Sequence, residues 1–170
     1  MKRILLLITL IFSLTTLKAQ NTANNITNIP PYKILNKDSV FLTPANLKKG
    51  KPVVIVYFSP DCTHCQHFTE ELKSKMDNEK KKGTNTFRNA EIVMITFTQV
   101  LNMKLFYIDY QLAKYPNIIM GTEGTTYTVL RYFNVKSTPY IAVYGKNGKL
   151  VQGFEKIPKM EDVEAAIKKG

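Results

Sequence analysis

The hydrophobic pattern of this chain changes period at one sharp point. Val53-Val54-Ile55-Val56-Tyr57-Phe58 is a continuous apolar, β-branched run, which predicts a strand buried on both faces. Beyond it the apolar positions open to a helical spacing, Cys65, Phe68, Leu72 and Met76, and predict a helix that begins near Cys62. Glu70 and Glu71 stand early in that helix and Lys80-Lys81-Lys82 late, the order its macrodipole favours, and Gly83 supplies a stop. Glu71 and Lys75 are spaced for an i,i+4 pair.

The remaining elements follow from similar signals. Tyr32–Leu35 and Val40–Leu42 are short strand-like runs around the turn Asn36-Lys37-Asp38-Ser39. Thr43-Pro44 has the form of a cap and first position of a single helical turn through Leu47, ended by Gly50, with Pro52 at the start of the central strand. Thr84–Ala90 reads as a loop and Glu91–Phe97 as a second buried strand. Leu101, Leu105, Ile108 and Leu112 form another helical stripe before Pro116. Gly121–Gly124 is a turn-rich break, and Thr125–Phe133 a short helix. Tyr140–Tyr144 and Leu150–Phe154 flank Lys146-Asn147-Gly148-Lys149, an Asn-Gly hairpin. Pro158 opens a last helix with Met160, Val163 and Ile167 on its buried face. Strand–helix–strand order predicts an α/β fold with a parallel core, helices on both faces and an antiparallel edge.

Composition refines this picture in two ways. The formal charge of +11 comes from 24 basic against 13 acidic residues, and the simplest account is solvated lysines at helix ends. A basic face for acidic proteins or membrane surfaces is the alternative, and no nucleic-acid-binding motif is present. Residues 1–19 have the form of a signal peptide. Lys2 and Arg3 precede the apolar run Ile4–Leu14, and Ala19 stands at a plausible cleavage site. Loss of Lys2, Arg3 and Lys18 with it lowers the charge to +8. That apolar run is too short to span a bilayer comfortably, so no stable membrane span is expected after cleavage, and no cysteine lies nearby to carry a lipid anchor. Residues 20–31 read as a flexible, Asn/Thr-rich linker that includes the sequon Asn25-Ile26-Thr27, and 32–170 as one domain.

The chemistry lies at the strand-to-helix junction. Cys62 and Cys65 are the two cysteines of the chain, three positions apart at the tip of the predicted helix. Unpaired N–H groups and the positive end of the dipole stabilise a thiolate there. Residues i and i+3 are neighbours, close enough for a disulfide to close. Such a bridge closes too short a loop to stabilise the fold much, so its position favours reactivity over a structural role. A cleaved signal peptide would place it where disulfides form and persist.

The apolar strand leading into Cys62-x-x-Cys65, and Thr138-Pro139 ahead of a strand, a Gly-containing hairpin and a final helix, resemble the thioredoxin fold. The resemblance covers roughly residues 32–170. It implies a mixed central sheet flanked by helices, with an N-terminal β-hairpin extension. It also implies a cis Pro139 facing the cysteines and a Thr138 backbone that binds the substrate chain. The signal sequence, the hairpin and the 74 positions from Cys65 to Pro139 resemble the extracytoplasmic, cytochrome-maturation type of redoxin, with a central helical insertion. A reductase is expected ahead of an oxidant, and the residues themselves leave the direction of exchange open. Three departures stand out. Asp61 replaces the usual tryptophan, and Val56 replaces a buried aspartate that assists the resolving thiol. His64 resembles the histidine of strong disulfide oxidants, which stabilises the thiolate. Asp61 acts in the opposite sense.

These residues predict an extracytoplasmic, most simply periplasmic, thiol–disulfide oxidoreductase. Cys62 and Cys65 are catalytic, His64 and Asp61 tune the thiol, and Thr138 and Pro139 bind substrate. No cofactor or metal is called for. The partners are thiol- or disulfide-bearing proteins and an upstream redox protein, and the chain is expected to be monomeric. Two rivals remain. A thiol peroxidase normally needs a threonine three residues before its cysteine, where Ser59 stands. A copper(I) carrier could use the two thiolates. His64 and His67 each point about 200° from a cysteine on a helix and do not complete a four-ligand site. His67 reads as an exposed helix residue. Tyr107, Tyr110, Tyr115, Tyr127, Tyr132 and Phe133 read as core and rim, with a docking surface as the sharper alternative.

Overall fold

The computed structural model describes residues 26–170. The expected signal peptide, residues 1–19, and residues 20–25 of the expected linker lie outside them.

Seven strands form one sheet: β1 (Ile34–Asn36), β2 (Phe41–Leu42), β3 (Val53–Tyr57), β4 (Glu91–Thr96), β5 (Ile118–Thr122), β6 (Tyr140–Tyr144) and β7 (Leu150–Phe154). Their order is β2-β1-β5-β4-β3-β6-β7. The central strands β3, β4 and β5 are parallel, while β6 and β7 on one side and β1 and β2 on the other pair antiparallel. Five α-helices among the described residues accompany them: α1 (Thr63–Lys82), α2 (Thr86–Asn89), α3 (Val100–Asp109), α4 (Thr128–Phe133) and α5 (Met160–Lys169). This is the mixed, helix-flanked sheet that the resemblance implied.

Strand periodicity divides the core in two. Val54, Val56, Ile92, Met94, Ile141 and Val143 face α1, α2, α3 and α5. Val53, Ile55, Val93, Ile95 and Ala142 face the other way, toward α4, Tyr32 and Ile34. All five residues of β3 are buried, because helices cover both faces of the centre. A one-residue slip would exchange the two sets, so the central register is firmly specified.

Several elements differ from the sequence reading. The supposed loop 84–90 contains α2, whose first backbone N–H groups are organised by a side chain from α1. The Glu79 carboxylate accepts from Phe87 N–H at 2.9 Å and from Arg88 N–H at 3.0 Å. Gly121 is not a break but part of β5, so the central insertion supplies a strand as well as a helix. A Cβ at position 121 would stand 2.8 Å from Ile34 Cγ1, and glycine is what lets β1 approach β5. The stripe Leu101, Leu105 and Ile108 on α3 faces outward, and Met103 and Phe106 turn into the core instead. Lys75 pairs with Glu161 (2.7 Å) and Glu164 (3.8 Å) of α5 rather than with Glu71.

The last linker residues are held against the domain rather than free. Leu150 N–H donates to Thr27 O (2.8 Å), Asn28 bridges Lys149, and Ile26 and Ile29 pack on the core. Gly170 lies close by, since its carbonyl accepts from Lys146 N–H at 3.1 Å. Both ends of the described chain therefore meet at the β6–β7 turn. That turn lies at the amino-terminal end of β3, opposite Cys62, because Tyr144 is the partner of Val53.

Candidate active site

The end of β3 delivers the cysteines. Phe58 N–H donates to Ile95 O (2.9 Å), which prolongs the pairing with β4 by one residue. The chain then turns through Ser59-Pro60-Asp61, closed by Cys62 N–H to Ser59 O (3.1 Å). Gln66 Nε2 pins the same turn by donating to Pro60 O at 2.9 Å. Sequence reasoning missed Gln66; its only signal is its place four residues after Cys62, on the same helix face.

Cys62 is the N-cap of α1. Its Sγ accepts the Cys65 backbone N–H at 3.2 Å, so a sulfur takes the place that a serine or aspartate oxygen usually holds. Cys62 is half-buried, whereas Cys65 is 1% exposed. Thr69 Oγ1 donates to Cys65 O at 2.8 Å and fixes the turn behind it.

The two thiols differ in acidity. Burial works against ionisation of Cys62. Donors to its sulfur outweigh that effect: the Cys65 thiol, the Thr138 hydroxyl and the backbone N–H groups of Cys65 and His64 hold the Cys62 thiol below its ordinary range. Burial, joined by the bond that Cys65 gives to Cys62, pushes the Cys65 thiol up to about 12. The buried Val56 belongs to the same apolar core cluster as Cys65.

The loop before β6 completes the site. The Thr138–Pro139 bond is cis. Thr138 O lies 3.3 Å from Cys62 Sγ, where the protonated thiol donates to it. Thus Cys62, Cys65, Thr138 and Pro139, distant in the chain, come together. Asp61, His64 and His67 are exposed on the surface around the pair, and it is the His64 backbone that reaches Cys62. For a soft metal ion the donors brought together are the two sulfurs. Among the described residues no group of three His, Cys, Asp or Glu gathers as a metal site. Of the aromatic group, Tyr115 and Phe133 are buried and Tyr127 is exposed, in keeping with core and rim.

A family model described as a thioredoxin-like domain matches residues 45–168. No curated protein sequence matches the chain. Several solved structures share the fold. One is a secreted Mycobacterium tuberculosis disulfide oxidoreductase homologous to E. coli DsbE, at 16% identity and TM-score 0.63, with 82% of this chain and 96% of that one covered. Another is a putative thioredoxin from Neisseria meningitidis, at 16% identity and TM-score 0.64, covering 84% and 89%. A third is a thiol-disulfide oxidoreductase from Bacteroides fragilis, at 13% identity and TM-score 0.63, covering 84% and 98%. At these identities the likeness is one of fold.

Proposed function

The chain belongs to the thioredoxin-like domain family, and from that premise we propose that it is an extracytoplasmic thiol–disulfide oxidoreductase working on protein disulfides as a reductase. The observation that carries this reading is the asymmetry of the cysteine pair. One sulfur is accessible and acidified, and the other is buried and held protonated one helical turn behind it.

The Cys62 thiolate attacks one sulfur of the partner disulfide. That S–S bond breaks, a Cys62–partner disulfide forms, and the other partner sulfur leaves as a thiolate. Cys65 then gives up its proton and attacks the Cys62 sulfur. The mixed disulfide breaks, the second partner thiolate leaves, and Cys62–Cys65 forms. Two electrons pass from the protein to the partner, whose thiolates take up protons. The reverse sequence donates a disulfide. Thr138 and Pro139 border Cys62 and hold the partner's backbone beside it, while His64 and Asp61 bias the Cys62 charge in opposite directions. The upstream protein reduces Cys62–Cys65 for the next cycle.

The deciding experiment is the equilibrium potential of the pair against glutathione buffers, with thiols trapped by alkylation and counted by mass. A value near the thioredoxin end of the scale, roughly −270 mV, supports a reductase. One near roughly −120 mV makes it an oxidant, and the absence of a reversible pair overturns the reading. Secretion is checked separately: the N-terminus of the protein recovered outside the cytoplasm should be Gln20 or close to it.

A further inference from the structure

The outer side of α3 breaks two local rules at once. Leu101, Leu105 and Ile108 lie there with 63%, 49% and 66% of their surfaces exposed. Asp109 is the last residue of the helix, where the macrodipole disfavours a carboxylate. Neither choice serves the fold, and residues that break local rules without a structural gain mark functional surface.

Beside this flank, between α1 and α3, runs a groove of about 520 Å³. Leu105, Phe106 and Tyr110 give it an apolar wall, and Asp61, Glu70 and Asp109 line it with three carboxylates. In a chain with 24 basic and 13 acidic residues this is a reversal of sign, since no lysine or arginine among the described residues lines the groove. Lys73 borders it, reaching Glu70 at 3.0 Å and standing 5.5 Å from the centre of the Tyr110 ring, so Asp61 and Asp109 carry the excess negative charge. Asp61 and Asp109 have no ion-pair partner among the described residues.

The groove adjoins the cysteines, because Pro60 and Asp61 line it and Cys62 follows. It lies toward β4, whereas Thr138 and Pro139 lead into β6 on the other side of β3. A chain bonded to the Cys62 sulfur thus has the Thr138 carbonyl on one side and an acidic, apolar trough on the other. We propose that this trough receives the partner segment next to the reacting cysteine, and that it selects segments in which a lysine or arginine accompanies an apolar side chain. The proposal rests on the redox role given above.

Three symmetrical disulfides test it, each joining two copies of a short peptide whose cysteine is flanked by Lys and Leu, by Glu and Leu, or by Lys and Gly. Each is mixed with the fully reduced protein in a single turnover. Cys62 attack releases one peptide thiol, Cys65 releases the second, and the protein ends as the disulfide, so no added reductant is needed. The expected result is a second-order rate for the Lys-Leu peptide about tenfold above the Glu-Leu peptide at low salt, shrinking as salt rises. Asp109→Lys should reduce that preference to within about threefold without lowering the thermal midpoint, since it suits the helix end better. Leu105→Ser should erase the distinction between Lys-Leu and Lys-Gly. Equal rates for all three peptides, or preferences that survive both variants, overturn the groove and leave the redox reading standing. If no peptide reacts, the redox reading fails and the groove proposal fails with it.

Discussion

A single proton distinguishes the two sulfurs at the residue scale. Because the Cys62 pKa is lowered and that of Cys65 is raised to about 12, alkylation at neutral pH should modify Cys62 and spare Cys65. Peptide mapping by mass reads this directly, and equal labelling would contradict the asymmetry. The sign of the pH dependence follows. A lowered pKa favours the folded, reduced state once pH exceeds it, and that gain is lost as pH falls through the Cys62 value. Cys65 acts oppositely in alkali, where its thiol resists an ionisation that the unfolded chain undergoes near pH ~8.5. The histidine is testable with a pair of variants. His64→Pro removes both the ring and the backbone N–H that supports the Cys62 thiolate, whereas His64→Ala removes the ring alone. The Cys62 pKa, followed by ultraviolet thiolate absorbance, should rise in the proline variant and rise less in the alanine variant. Equal values would assign the whole effect to the ring.

At the scale of the element, the packing of β1 on β5 makes the plainest demand. Gly121→Ala places a methyl within 3 Å of the fully buried Ile34 and should cost about 1–3 kcal/mol, seen as a lower denaturation midpoint with unchanged thiol chemistry. Glu79→Ala strands two backbone N–H groups at the start of α2 and should cost a similar amount, about 1–3 kcal/mol, with Glu79→Gln milder. These two sites also show why parts of the fold were hidden in the sequence. A glycine amid Asn117–Glu123 resembles a turn until Ile34, far away in the chain, is seen against it. A four-residue helix held by a carboxylate from its neighbour has too little periodicity of its own to detect. Helix α3 failed differently. Its residues, VLNMKLFYID, are apolar on nearly every side, so spacing established the helix but not its buried face. The strand feeding Cys62, the long helix ending at Gly83 and both hairpins were legible, because each joins a strong pattern to a local stop signal. The cysteine pair was legible for the same reason. The approach of Thr138 was not visible in local pattern and came only from the family resemblance. The α1–α3 trough had no linear signal, since its walls come from two helices separated by β4.

Seen whole, the molecule gathers many of its lysines at the end of the sheet away from the sulfurs. On the α1–α3 flank beside Cys62 stand Asp61, Glu70 and Asp109, while Lys136, Lys156 and Lys159 lie at the same end of the sheet on the β6–β7 side. Lys48, Lys49 and Lys51 precede β3, Lys80, Lys81 and Lys82 close α1, and Lys168 and Lys169 close α5, all toward the other end. Lysines at helix ends answer the macrodipole, so the fold alone accounts for much of the basic end, as composition suggested. Asp109, at the carboxyl end of α3, has no such account, which makes it the most informative of the three carboxylates. Rising salt should therefore slow exchange with cationic peptides more than with neutral ones.

The meeting of Thr27, Asn28 and Gly170 at the β6–β7 turn has a practical corollary. A bead, fluorophore or electrode linker coupled at Gly170 sits at the far end of the sheet from the sulfurs. Protein immobilised there should exchange with a soluble disulfide at the rate of the free protein, whereas coupling through a cysteine introduced at Leu105 should slow it severely. The fold thus supplies an insulated handle, ready for wiring the thiol pair to a surface with its working edge outward.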